Sequence, residues 1–151
     1  MQIITKAYGE VEIDERQIIT FPNGLFGFET LHDFALLDAT QQPFYWLQSI
    51  DVDQVAFVLI KPSIFRPDYT PAVMKSELEA LSLKDSSEEN ALVFSIVTFL
   101  DDNQNMTANL QGPVIVNRHA RVGRQCISTD PRWETRHNIA EEIASQRNSI
   151  C

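Results

Sequence analysis

Residues 91–100 read "ALVFSIVTFL", residues 101–105 "DDNQN" and residues 106–117 "MTANLQGPVIVN". Ten residues with hardly a polar break are too continuously apolar for an edge strand, so 91–100 reads as a central strand. The acidic, amide-rich pentad turns the chain, and 106–117 returns beside the strand that it left. Val114, Ile115 and Val116 are strand residues, and Gly112-Pro113 marks an edge or a bulge because proline cannot donate to a ladder. Thr107, Asn109 and Gln111 share one strand parity and Met106, Ala108 and Leu110 the other, which predicts a polar face for binding opposite an apolar one.

Working outward, short β-type runs continue in both directions. Residues 2–21 read as a hairpin with a turn at Tyr8-Gly9, followed by turn chemistry at Pro22-Asn23-Gly24 and an apolar corner, Leu25–Phe28. Phe34–Asp38, Phe44–Ile50 and Val55–Ile60 read as a meander. Pro62, Pro67 and Pro71 make 61–71 an extended surface loop, in which Phe65 and Tyr69 either form a contact site or fold back over the core. Met74, Leu78 and Leu81 have helical spacing. Residues 118–124, with Gly123, read as a turn into Gln125–Ser128, and residues 138–147 suggest a helix. The expected fold is mainly β: a small β-barrel-like single domain over 1–137 with one or two short helices, and a C-terminal tail, 138–151, of helical character.

The 151 residues, 44% hydrophobic and 22% charged, suit one soluble domain, without a membrane-spanning run or a signal-type start. The Asn105-Met106-Thr107 sequon matters only in a secretory compartment, so it reads as incidental, and Cys126 reads as a buried structural thiol. The expected compartment is the cytoplasm. The net charge is −9, with 6 Lys+Arg against 17 Asp+Glu over residues 1–105 and 6 against 4 over 106–151. An acidic body argues against direct nucleic-acid binding and suits either solubility or a basic protein partner.

Chemistry-bearing patterns are sparse. His32, His119 and His137 have no metal-site spacing, and no phosphate loop, dinucleotide fingerprint or nucleophile elbow occurs. No cofactor is expected. Asp101-Asp102 and Glu88-Glu89 sit in predicted turns, where solvated charge is the usual explanation. The residues alone leave three classes open: a binding module using aromatic and acidic surface, a small β-barrel hydrolase using carboxylates such as Asp101 and Asp102, and a structural β-module that self-associates through an edge strand.

Several stretches, taken in order, resemble the FliW family of bacterial flagellar assembly factors. They are Tyr8-Gly9 with Ile13; Ile19-Thr20-Phe21-Pro22, Gly24 and Gly27-Phe28-Glu29; Pro43–Ser49 with Ala56-Phe57; Met106–Leu110 with Pro113 and Asn117; and Gly123, Gln125 and Arg136-His137. Gly112 stands where the family pattern leads one to expect alanine, and the tail beyond Ile139 is not covered. The resemblance implies a cytoplasmic, non-enzymatic barrel, monomeric when free, that binds flagellin and the RNA-binding translational regulator CsrA. Flagellin occupying the protein frees CsrA to repress the flagellin message, and export of flagellin reverses the exchange. An acidic protein docked on CsrA would lower its RNA affinity by electrostatics. The candidate partner-binding residues are Phe65, Asp68 and Tyr69 in the proline-rich loop, Asp101, Asp102 and Asn103 in the acidic turn, and Asn109 in the strand that follows.

Overall fold

The computed structural model describes residues 1–100 and 105–150. Strands β1 (Gln2–Thr5) and β2 (Gly9–Glu12) form the expected hairpin, but as a two-stranded sheet of its own. The larger sheet contains β3 (Ile18–Thr20), β4 (Asp33–Asp38), β5 (Tyr45–Ser49), β6 (Ala56–Ile60), β7 (Ala91–Leu100), β8 (Asn105–Ala108), β9 (Val114–Asn117), β10 (Val122–Gln125) and β11 (His137–Asn138). Helix α1 (Lys75–Ala80) lies between β6 and β7, and α2 (Ile139–Ile150) follows β11.

The strand read as central closes the barrel. One edge of β7 pairs with β6, through Val58↔Val97 and its neighbours. The other edge takes β9 along Ala91–Phe94 and β8 along Val97–Leu100, so both parts of the 106–117 return lie beside the same strand. The ring runs β7-β6-β5-β4-β3-β10-β9 and back to β7, seven strands in all, with a single parallel contact where Val122 of β10 meets Thr20 of β3. The ring is thinnest at that one-pair β3–β10 junction, while its other junctions are ladders of three or more residue pairs.

Alternation explains the unbroken apolar runs. Inward residues, among them Phe34, Leu59, Phe94, Val114 and Val116, fill the barrel interior with Phe21 and Leu25. Outward residues of the same strands are covered in three places. Ala35 and Leu37 pack beneath the hairpin with Ile3 and Ile13. Ile115 packs with Leu78 and Leu81 of the α1 region and with Cys126. Val58, Ile60 and Val97 pack with Phe65, Trp133 and Ile139. A barrel strand covered on both faces needs apolar residues at both parities, which removes the period-2 signature.

Two local expectations change. Gly123 lies inside β10 rather than in the turn, paired with Val116, and its lack of a side chain serves packing: a Cβ there would stand 2.5 Å from the ring of Phe21. Thr107, Asn109 and Gln111 do not form one polar face. Strand β8 ends at Ala108 and the chain bends, leaving Thr107 buried, Asn109 half-buried and Gln111 exposed. Cys126 is fully buried as expected, and burial pushes its thiol up to about 12.

Candidate functional site

The proline-rich loop folds back over the core. Residues Pro62–Ile64 form a short 3-10 turn that carries Phe65 into the cluster outside β6 and β7, where its exposure is 0%. Of the two readings for this loop, Phe65 therefore takes the core one and offers no surface. Tyr69 is half-buried, donates its hydroxyl hydrogen to the carbonyl of Leu110 at 2.7 Å, and meets Trp133 edge to face at 4.8 Å between centroids. Burial raises the Tyr69 phenol well above its ordinary range.

Trp133, 1% exposed, organises this side of the molecule. Its indole N–H donates to the Thr70 carbonyl at 3.2 Å, which ties residues 130–134 to the loop. The guanidinium groups of Arg66 and Arg132 lie 4.7 and 4.8 Å from its ring centroid, a doubly cation-capped aromatic. Arg66 donates to both carboxylate oxygens of Asp68 at 2.9 Å, and its remaining nitrogen reaches Glu142 of α2 at 3.1 Å. That pairing raises the Arg66 pKa and lowers that of Asp68. Asp68 remains exposed at the rim, so the pair adds little to stability but presents a carboxylate whose charge is held by its neighbour.

His137 completes the join to the tail. The backbone N–H of Glu134 donates to Nε2 at 2.8 Å, which leaves Nδ1 to donate to the Glu142 carboxylate at 3.0 Å. Loop, 130–138 segment and first turns of α2 are thereby held to one another through Arg66, His137 and Glu142.

Asn109 directly precedes Leu110, the acceptor of the Tyr69 hydroxyl, and lines a separate groove. Its backbone N–H continues the β7 pairing by donating to Ile96, and its side-chain oxygen accepts from Gly112 at 2.8 Å to close the bend. A Cβ on Gly112 would stand 3.0 Å from the side-chain nitrogens of Asn109 and Gln125, so an alanine there would require those two amides to shift by a few tenths of an ångström. Asn109 lines an open groove of about 410 Å³ with Phe26, Phe57, Gln125 and Arg136. Asp101, Asp102 and Asn103 lie outside the described residues. The described candidates thus lie on a fastened loop and on the bend at 109–112 to which that loop is hydrogen-bonded.

Trp133 was missed in the sequence. A tryptophan between Arg132 and Glu134, just after an Asp-Pro turn, was its one local signal, and its arginine partner Arg66 is 67 positions away. Among the described residues the carboxylates with displaced acidity, Asp14, Asp68, Asp85 and Asp130, are all shifted downward by hydrogen bonds from Arg16, Arg66, Ser87 and Arg132 respectively. A general acid needs the opposite displacement. No helix among the described residues is long and apolar enough to cross a membrane.

Known proteins match this chain over nearly its whole length. The family described as FliW protein matches residues 2–139. The chain is 42% identical to the flagellar assembly factor FliW of Treponema denticola over 98% of its own length and 100% of the relative's. It is 44% identical to that of Treponema pallidum, with 97% of each covered. A crystal structure of the flagellar assembly factor FliW superimposes with a TM-score of 0.83 at 35% identity, covering 92% of this chain and 96% of that one.

Proposed function

The chain belongs to the FliW family of flagellar assembly factors, a non-enzymatic family, and on that premise we propose that it is a cytoplasmic partner-switching regulator. In this reading it binds flagellin and, when flagellin is absent, binds CsrA and relieves repression of the flagellin message. The observation that carries the CsrA half is the charge distribution, −11 over residues 1–105 against +2 over the remainder. A protein that holds RNA phosphates needs basic surface, and an acidic partner docked beside that surface weakens the hold without covering the RNA. Asp68, Asp101, Asp102, Asn103 and Asn109 are the proposed contact residues. Phe65 and Tyr69 support the loop from within.

The test is calorimetric mixing with flagellin and CsrA, first singly and then together. Binding to each at about one protomer to one, with loss of CsrA binding in the presence of flagellin, is the expected result; silence toward both would remove the reading. RNA release from CsrA should weaken as salt is raised and when Asp101→Asn and Asp102→Asn are combined. Release that ignores both changes would refute the electrostatic mechanism.

A further inference from the structure

The covering of the barrel's outer face is incomplete. The hairpin covers β3 and β4, while Phe65, Trp133 and the start of α2 cover parts of β6, β7 and β8. Between them lies an open groove of about 650 Å³, floored by the outward side chains Trp46 of β5, Val58 of β6, Phe99 of β7 and Met106 of β8. Tyr8, at the hairpin turn, and Gln41, before β5, form its walls. Phe99 is 43% exposed and Tyr8 38%. The groove is preformed, because the Tyr8 hydroxyl accepts from the Thr40 backbone N–H at 2.9 Å and from the Trp46 indole at 3.1 Å.

Three observations say what covers it. Among the described residues no charged side chain lines the groove, and its floor is apolar, so its occupant is recognised through apolar contact. The floor continues the seat of α2: Trp46 and Met106 belong to the same cluster as Ile139 and Ile143, an i, i+4 helical ridge already packed on this face. The strands bearing Trp46 and Met106 are three inter-strand spacings apart, about 14 Å, which accepts one helix of roughly 10–12 Å diameter.

We propose that this apolar-floored strip is a docking site for an apolar-faced α-helix of a protein partner. Resting on the partner-switching reading above, the assignment is to flagellin, since the basic regulator is matched by the acidic surface instead. The two partners then engage different surfaces, and their exclusion is transmitted through the barrel or by steric overlap of their bodies.

The experiment measures the affinity of the full chain for flagellin and for CsrA, separately, in the wild type and in Phe99→Ser, Phe99→Leu and Gln41→Lys. Gln41→Lys puts a charge on the exposed wall without disturbing the core. Expected are a loss of about tenfold or more toward flagellin for Phe99→Ser and Gln41→Lys, near-wild-type affinity for Phe99→Leu, and CsrA affinity unchanged within about twofold. Flagellin binding should also blue-shift tryptophan emission through Trp46. Wild-type binding of flagellin that survives Gln41→Lys would overturn the inference and leave the partner-switching reading intact. Equal loss of both partners would overturn the separation of surfaces, and a wild type that binds neither would overturn the reading itself. Concentration-dependent dimerisation abolished by Gln41→Lys would assign the groove to a second copy and so overturn the flagellin assignment.

Discussion

At the residue scale, Tyr69 shows why an aromatic in a proline-rich loop need not be a contact residue. Its ring packs on Trp133 and its hydroxyl satisfies the carbonyl of buried Leu110, so its chemistry is already used within the chain. Tyr69→Phe leaves that carbonyl without its partner and is expected to cost about 1–2 kcal/mol, seen calorimetrically as a lower Tm. An unchanged Tm would mean that the hydroxyl bond contributes nothing. Binding of flagellin and CsrA by folded Tyr69→Phe should stay at the wild-type level. The placement of Tyr69 was half legible in the sequence: the alternatives of contact and core were visible, but the packing of its ring on Trp133, 64 positions further on, was not.

At the scale of elements, β10 shows how a distant side chain overrides local turn chemistry. Glycine after a run of Arg, His and Ala reads as a turn residue, yet Gly123 pairs with Val116 in the ladder. The missing side chain makes room for the ring of Phe21, which fills the barrel interior. Gly123→Ala should therefore overpack the core and destabilise by about 1–3 kcal/mol, read from the denaturation midpoint. Phe21→Leu in the same chain should recover part of that loss. If the two costs simply add, Phe21 does not determine the glycine. The bend after β8 follows similar logic, with Asn109 used to tie Gly112 before it can serve any partner.

For the molecule as a whole, a half-buried phenol and a buried thiol set an alkaline limit. Tyr69 and Cys126 both have folded-state pKa values raised by burial. Their contribution is complete below the unfolded values, about 8.5 for a thiol and about 10 for a phenol. It is lost as pH rises from those values toward the folded ones, since the unfolded chain releases the protons first. Tm should therefore hold between pH 7 and 8 and fall from about pH 9 to 11, with a shallower fall in Tyr69→Phe; a flat profile over that range would contradict both shifts. The sequence by itself determined the β class, the hairpin, the meander, the central position of 91–100 and both helices. These depend on periodicity, turn residues and the burial of consecutive apolar side chains, all local in the chain. It also determined family membership, through an ordered set of short matches spread over nearly its whole length. Only the tertiary structure decided that the 106–117 return divides to close a seven-stranded ring, that Phe65 is core while Phe99 is surface, and that Trp46 floors an uncovered strip. Strand parity says which residues share a face, but whether that face is covered depends on elements 40 or more residues away, and no local pattern encodes their arrival.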